Sequence, residues 1–377
     1  MGFLSNSTDI TFVEKSSSTA ASTLWFENET AVEKRAKIAA YLIVFIVCLL
    51  ANCLLIAVVY KNFNQRMRTP SNYFIVNMAF ADLILVVYSV PVNTGMTAIN
   101  YRWLIGGVAG EVFCRLHFFI SEMSVLVVTS CLFSIALDRF LLVFYPLKKI
   151  VTLRIARRII AVIWIFSIVF TSPLFFMGSL IEIRSGYVIC SFDFSILPLV
   201  IIYFLFCFIP IILIPLVIII ILYIAIGVKI KRTVPPGNQL PSNQEQRERM
   251  THKVLAMLGA VVAAVIVFRF PMLIGLIVCF SGLTGFCHEL NYTFVIFFLT
   301  FTNSAINPLI YFIFNNQFRY GARLVLGRIM PCCFKTANEV DVIHSSVQQM
   351  ARTRQPEQLD ETVHSQKPVE HVILTEI

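Results

Sequence analysis

The chain has 377 residues, of which 58% are hydrophobic and 14% are charged, and its mean hydropathy is +0.81. Soluble domains carry about a quarter charged residues, so this composition excludes a protein that is mostly surrounded by water. The net charge of +9 is spread over many short segments. It therefore bears on membrane orientation and gives no indication of nucleic-acid binding.

Apolar runs in this chain are long enough to cross about 30 Å of hydrocarbon at about 1.5 Å per residue. They are continuous and rich in Leu, Ile, Val and Phe, which favours helices over the short alternating segments of a barrel. We predict an all-α membrane protein, a bundle of seven transmembrane helices. Its spans lie near residues 38–60, 73–98, 112–137, 158–181, 196–228, 254–280 and 292–314.

Basic residues indicate the orientation of the bundle. Lys and Arg are concentrated after the first, third, fifth and seventh runs, which by the positive-inside rule face the cytoplasm. The amino terminus is then extracellular. A charged segment with a short apolar core does not precede residue 38, so we expect the first span to act as the insertion signal. Three N-glycosylation sequons lie on the predicted extracellular side, at Asn6, Asn28 and Asn291.

Two cysteines lie next to spans on the predicted extracellular face. Cys114 opens the third span and Cys190 lies between the fourth and fifth, so we expect a disulfide between them, with Cys287 left over. On the cytoplasmic side, Cys332 and Cys333 follow an amphipathic stretch, and we predict reversible palmitoylation there.

Polar side chains also occur near the middles of four spans. An ionisable side chain at that depth costs about 2.5 to 3.5 kcal/mol, so we expect each to face the bundle interior and find a partner. For the asparagines, a purely structural role in joining helices is as good an interpretation as a functional one. These residues are Asn52, Asp82, Arg269, Asn303 and Asn307.

Short motifs follow one another in a specific order along the spans. They are Asn52 in "LLANCLLIAVVY", Asp82 in "NYFIVNMAFADLI", "DRFLLVFYPL" from Asp138, Trp164, Pro215 with Tyr223, "FRFP" ending at Pro271, and "NPLIY" from Asn307 to Tyr311. The set resembles the rhodopsin-like (class A) G protein-coupled receptors, and the resemblance covers residues 37 to about 334.

The resemblance implies a receptor in the plasma membrane that activates heterotrimeric G proteins and is acted on by receptor kinases and arrestin. We expect the charged pair Asp138–Arg139, at the cytoplasmic end of the third span, to bias the receptor between two states: Arg139 is held by its neighbour in one state and turned toward a partner in the other. Phe140 stands where the family usually has Tyr. The residues that the resemblance assigns to coupling and switching are Asp138, Arg139, Phe140, Pro146, Leu147, Tyr223, Asn307, Pro308 and Tyr311.

The chain departs from the family at two interior sites. Arg269 replaces the usual Trp of the sixth span. Its candidate partners are Glu122, Asp82, the side chain of Asn303 or an acidic group of the ligand. At the family's sodium site, Val128 replaces a hydroxyl, with Ser124 one turn away. Sodium, at Asp82, is the one cofactor considered. The predicted core polar network is Asn52, Asp82, Ser124, Asn303, Ser304 and Arg269.

The ligand class is narrowed by two positions. Ser121 stands where amine receptors carry Asp, and Phe301 stands where opsins carry Lys, which argues against monoamines and retinal. The segment "LIEIRSGYVIC" predicts a hairpin lid. Resemblance to RFamide, galanin and tachykinin receptors favours a peptide agonist; a lipid or another small organic ligand is the alternative. Candidate pocket residues are Ser121, Glu122, Arg184, Asp193 and Arg269.

The domain boundaries follow from these assignments. Residues 1–36 form a glycosylated extracellular segment and residues 37–314 the bundle; residues 315–334 form a basic amphipathic helix on membrane lipid with the acylation site. Residues 335–377 form a disordered tail with sites for kinases. Its end, Thr375, Glu376 and Ile377, has the form of a ligand for a PDZ-domain protein.

Two other classes fit the sequence less well. A transporter would show paired repeats, and the two halves of this chain show no similarity. HExxH and GxSxG motifs are missing, so we expect no enzymatic activity.

Overall fold

A computed structural model describes residues 29–61, 67–103, 105–145, 147, 148, 150–184, 186–233, 256, 257, 259–268, 270–272, 274, 275 and 290–329. Several predicted sites lie outside these residues: Asn6, Asn28, Pro146, Arg269, Cys287, Cys332, Cys333, Thr375, Glu376 and Ile377. The side chains of Arg184 and Asn291 lie outside them as well.

Helices make up most of the described chain. They are α1 (Ala31–Lys61), α2 (Pro70–Ala98), α3 (Gly107–Phe144), α4 (Leu153–Met177), α5 (Leu197–Ile202, a π-helical turn at Tyr203–Phe208, and Ile209–Thr233), α6 (Gly259–Met272, except residue 269), α7 (Leu290–Phe314) and α8 (Asn316–Ile329). Among the described residues, six helices are long and apolar enough to cross a membrane, and α6 lies within the remaining predicted span. The predicted helical membrane bundle is confirmed.

The fourth predicted span was too long at its carboxyl end. The helix ends at Met177, and the following residues form β1 (Gly178–Arg184), which pairs antiparallel with β2 (Tyr187–Phe192). Gly186 adopts a positive φ of 76° at the turn, a conformation that glycine allows without strain. The predicted hairpin is confirmed, and the predicted end of the span was wrong because Leu180 and Ile181, which belong to β1, were counted with the apolar helix.

Helix starts follow capping signals in the sequence. At α1, the Glu33 carboxylate accepts a hydrogen bond from the Thr30 backbone N–H at 2.9 Å, and the Glu33 N–H donates to the Thr30 hydroxyl at 3.2 Å. This reciprocal capping box satisfies two N–H groups that the helix itself leaves open. At α2, the Thr69 hydroxyl accepts from the Asn72 N–H, and Pro70 occupies the first helical position.

The third helix lies at the centre of the described bundle. It contacts α2, α4, α5 and β1, whereas α1 contacts α2, α7 and α8. In the most apolar stretch of α3, 56% of the residues are buried, compared with 22% in α4. A movement of α3 would therefore change its contacts with several neighbouring helices.

The hairpin is joined to the start of α3 by the disulfide between Cys114 and Cys190, whose Cα atoms are 5.6 Å apart. The predicted disulfide is confirmed. Gly178, at the start of β1, packs so closely that a Cβ there would lie 3.0 Å from the Phe118 ring. We call this the disulfide end of the bundle, and we call the opposite end, where α3 finishes, the Arg139 end.

Candidate ligand cavity and switch site

The predicted switch residues at the Arg139 end lie on the last turns of α3. Asp138 is buried, and its Oδ2 accepts a hydrogen bond from the Ser71 hydroxyl of α2 at 2.5 Å. Arg139, the next residue, interacts electrostatically with Tyr223 of α5 and Tyr311 of α7. The charged pair therefore lies where α2, α3, α5 and α7 meet.

Other predicted coupling residues lie at the same end. Phe140 stacks on Phe144 with ring centroids 4.2 Å apart, so this part of α3 presents an aromatic surface. Leu147, in the loop after α3, is 78% exposed and available to a partner. Pro308 lies inside α7, between Asn307 and Tyr311.

The predicted polar side chains of the bundle centre are buried together. Asn52 of α1 donates to the Cys48 carbonyl at 2.9 Å and to the Ser304 carbonyl of α7 at 3.2 Å. Asn307 of α7 donates to Asp82 of α2 across 3.4 Å, at the weak end of hydrogen-bond range. These contacts join α1, α2 and α7 through polar groups that face away from lipid.

Several oxygens in this network accept no hydrogen bond from the described residues. They are Oδ1 of Asn52, Asn303 and Asn307, and the hydroxyl oxygen of Ser304. Ser124 of α3 donates its hydroxyl to the Ala81 carbonyl at 3.2 Å, and Val128 is a buried apolar side chain. Hard oxygen donors beside a carboxylate fit water or a small hard cation.

A mainly apolar cavity lies between α3, α5, α6 and α7. Its polar groups are Glu122 and Thr129 of α3 and Asn303 of α7, and Glu122 is the predicted pocket residue that the structure places on it. The π-helical turn of α5 contributes Phe204 and Phe208 to the wall. A ligand here would meet an aromatic and aliphatic surface with a carboxyl group at one side.

Nearer the disulfide end, polar side chains lie between α2, α3 and α7. The hydroxyl oxygens of Ser121 and Ser89 are 3.3 Å apart. His117, one turn before Ser121, is buried beside the rings of Tyr88 and Phe297, and its Nδ1 has no hydrogen-bond partner among the described residues. His117 was not among the residues predicted from the sequence, although its position one turn before Ser121, a predicted pocket residue, indicated that it faces the same site.

Asp193 lies at the junction of β2 and α5 and does not line the cavity. Its carboxylate accepts hydrogen bonds from the Ser195 hydroxyl at 2.7 Å and the Ser195 N–H at 2.9 Å. These hydrogen bonds lower the pKa of Asp193. The geometry supports a local cap on the turn before α5, and the pocket role of Asp193 stays a prediction.

The long apolar helices and the polar side chains buried between them define a multi-pass helical membrane protein. The chain matches the model of the 7 transmembrane receptor (rhodopsin family) over residues 51–311. It therefore belongs to the rhodopsin family of seven-transmembrane receptors, whose members are receptors and not enzymes.

Three similar proteins are receptors for peptides by their names. Neuropeptide receptor 22 of Caenorhabditis elegans is 26% identical over 313 residues, which cover 78% of this chain and 69% of that receptor. The substance-P receptor of Aquarana catesbeiana is 27% identical over 305 residues, 76% of this chain and 69% of that receptor. Neuropeptide FF receptor 1 of Rattus norvegicus is 32% identical over 136 residues, 36% of this chain and 30% of that receptor.

Proposed function

We propose that this protein is a cell-surface receptor that binds an extracellular peptide and activates heterotrimeric G proteins. The observation that carries the proposal concerns α3, because Glu122 lines the cavity and the predicted switch residues Asp138 and Arg139 lie on the same helix. The separation of 16 residues corresponds to about 24 Å along the axis. Family membership and the names of the similar receptors support the same function.

The mechanism is a ligand-driven shift between two states. An agonist that binds the active state about a hundredfold better supplies roughly 2.7 kcal/mol, enough to move a receptor from about 1% to about half active. Asn307, Pro308 and Tyr311 would rearrange with Tyr223 and Arg139 as α6 swings about Pro271. Arg139 would then turn toward the G protein, with Leu147 as a further contact.

A peptide would enter from the disulfide end, beneath the hairpin. There it would meet Ser121 and His117 between α2, α3 and α7, and its deepest group would reach the cavity beside Glu122. Arg269 would form an ion pair either with an internal acid, Glu122 or Asp82, or with an acidic group of the peptide. The amino terminus would lie outside the cell, on the same side as the hairpin.

The apolar cavity also favours a second candidate, a lipid or another small organic ligand. Phe204, Phe208 and Ile212 give the wall the aromatic and aliphatic character of a small-molecule site, but the cavity measures only about 30 Å³, so a ligand of this kind would have to widen it. The two candidates differ in what they contact, because a peptide must also touch the hairpin and loop side chains at the disulfide end.

Sodium is the cofactor for which the residues offer donors. Asp82, Asn303 and Ser304 would hold it, and the ion would supply positive charge that neutralises the Asp82 carboxylate. On α3, Val128 has no side-chain oxygen, and the Ser124 hydroxyl donates a hydrogen bond to the Ala81 carbonyl. Fewer oxygens are therefore directed at a sodium ion than in the family pattern.

The remaining assignments belong to the same proposal. Asn6, Asn28 and Asn291 would carry glycans and Cys332 and Cys333 acyl chains. Kinases and arrestin would act on the tail, and Thr375, Glu376 and Ile377 would bind a PDZ-domain protein. The basic helix α8, with Arg319, Arg323 and Arg328, would lie on anionic lipid.

The test is agonist-dependent nucleotide exchange on a co-expressed G protein. Cells expressing the full chain are screened against a library of amidated neuropeptides, with Arg139→Ala as the control that binds without signalling. Exchange that depends on both a peptide and Arg139 supports the proposal. Uptake of a solute without nucleotide exchange would indicate transport and contradict the proposed signalling. A response to lipids and not to peptides would favour the second candidate.

A further inference from the structure

A buried ion pair lies just before and within the first helix. The ammonium of Lys37 is 2.5 Å from Oε1 of Glu29, and the two side chains are only 7% and 3% exposed. Glu29 precedes α1, whereas Lys37 lies inside it. Two charges removed from water are stabilising only when they remain together, because either one alone has lost its hydration without compensation.

Aromatic side chains of α1 and α7 surround this pair. The Lys37 ammonium lies 5.5 Å from the centroid of the Phe294 ring, within range of a cation–π interaction. Tyr41 packs edge-on against the same ring at 5.1 Å and interacts electrostatically with Glu29. Glu29 therefore holds the chain before α1 against the contact between α1 and α7.

The loop between α2 and α3 reaches the same place in an unusual conformation. Asn100 and Tyr101 have φ angles of 59° and 62°, in the left-handed region that large side chains rarely occupy. Tyr101 is nonetheless buried, and burial raises the pKa of its phenol to about 12, with the Glu29 carboxylate acting in the same direction. Such a conformation persists only where the surroundings impose it.

Three elements impose it together. The Lys34 ammonium of α1 donates to the Asn100 side-chain carbonyl, and the Tyr187 hydroxyl of β2 donates to the Asn100 backbone carbonyl. The Trp103 N–H of the same loop donates to the Val188 carbonyl of β2 at 2.8 Å. The chain before α1, the loop and the hairpin are thus connected into one cover at the disulfide end.

We propose that the Glu29–Lys37 pair is a latch that fixes this cover, and that Glu29 and Lys37 are positioning residues for the ligand. With the pair closed, Glu29 keeps the start of α1 beside Tyr101, and the strained loop supports the hairpin. With the pair broken, the remaining charge draws water into the contact between α1 and α7, and the loop relaxes. The effect on a peptide ligand rests on the proposed function, whereas the effect on the cover does not.

The matched control is Arg35, a basic residue two positions before Lys37. It is exposed, and among the described residues its guanidinium bonds only the Ala31 carbonyl of its own helix. Reversal of a positive charge near the amino terminus is therefore common to Arg35→Glu and Lys37→Glu, but loss of the buried pair is not.

The experiment is hydrogen exchange of the full chain in lipid nanodiscs without ligand, followed at the amides of Tyr101 and Trp103. Both amides are hydrogen-bonded in the structure, to the carbonyls of Met96 and Val188. We expect Glu29→Lys and Lys37→Glu each to speed exchange by about tenfold or more, because a buried charge loses its partner. The double exchange Glu29→Lys with Lys37→Glu restores most of the protection, and Arg35→Glu leaves the protection of the wild type unchanged.

Unchanged protection in both single variants, or no recovery in the double exchange, would overturn the latch. Where a single variant does not reach the membrane, surface expression of the double exchange is the readout: recovery supports the latch and failure rejects it. Peptide affinity is measured separately on the same variants. If amide protection is lost in the single variants and regained in the double exchange, but no peptide binds, the latch is supported and the proposed function is rejected.

Discussion

The hydroxyl of Ser71 donates a hydrogen bond to the carboxylate of Asp138 across 2.5 Å, and this contact joins the start of α2 to the end of α3. Both side chains are buried, so the carboxylate is held where water does not compete for it. The position of Asp138 in turn fixes the charge environment of Arg139, the next residue.

Ser71→Ala is expected to raise agonist-independent nucleotide exchange. A hydrogen bond to a charged group contributes about 1.5 to 3 kcal/mol, so its loss in the resting state permits a roughly tenfold rise in the active population. The measurement is basal exchange at matched surface expression. Ser172→Ala, which removes an exposed hydroxyl bonded to the Val169 carbonyl of its own helix, is the control. Equal basal exchange in both variants would contradict the role of Ser71.

Arg139→Ala is expected to abolish G protein activation while surface expression and agonist binding remain measurable. The guanidinium lies where α3, α5 and α7 meet, and its positive charge acts on Tyr223 and Tyr311 there. Concentration–response curves for nucleotide exchange give the result. Arg154→Ala, an exposed arginine at the start of α4, is expected to signal normally. Normal signalling from Arg139→Ala would be incompatible with the receptor assignment.

Loss of the disulfide is expected to be non-additive. Cys114→Ser and Cys190→Ser break the same bond, so the double variant should lose no more ligand binding than either single variant. Binding and thermal stability are compared with those of Cys53→Ser, which changes an exposed free cysteine of α1. Losses that add in the double variant would show that the two sulfurs act separately.

Asn52→Ala is expected to destabilise the bundle by about 1 to 3 kcal/mol, because the Ser304 carbonyl loses its donor from α1 inside the protein. A lower Tm of purified receptor at unchanged oligomeric state is the readout. Asn316→Ala, at the exposed start of α8, should leave Tm within error. An unchanged Tm for Asn52→Ala would show that this contact does not contribute.

Tyr101 predicts a specific alkaline sensitivity. Its folded pKa of about 12 exceeds the ordinary value of 10, so the folded state favours the neutral phenol. That contribution is complete below pH 10 and is lost as the pH rises from about 10 to about 12. Tyr101→Phe should therefore lose less stability over this window than wild type, while the exposed Tyr145→Phe should behave as wild type. Identical pH profiles for all three would reject the burial of the phenol.

The spans could be predicted from sequence because a long apolar run has one economical structure in lipid. The end of α4 could not, since Leu180 and Ile181 of β1 follow closely after the helix and hydropathy does not distinguish a short apolar part of a strand from the end of a helix. The start of α1 at Ala31, before the predicted boundary at 37, was readable from Thr30 and Glu33, whose spacing is that of a capping box.

The interior positions of Asn52, Asp82, Asn303 and Asn307 followed from the cost of polar groups in lipid, and all four are buried. The Glu29–Lys37 pair and the burial of Tyr101 could not be predicted in this way. They depend on which loops meet above the helices, and the residues involved look like ordinary charged and aromatic residues near a membrane boundary.

The sparse burial of α4 divides that helix into two sides with different tolerance of sequence change. Val162, Ile165 and Val169 are each more than 60% exposed, and lipid acyl chains adapt to almost any apolar side chain there. Ala156, Ser167 and Thr171 are fully buried against rigid neighbours, where one added methylene must be accommodated by the protein. Substitutions between apolar residues are therefore expected to be tolerated on the exposed side of α4 and restricted on its buried side, which packs against α2 and α3.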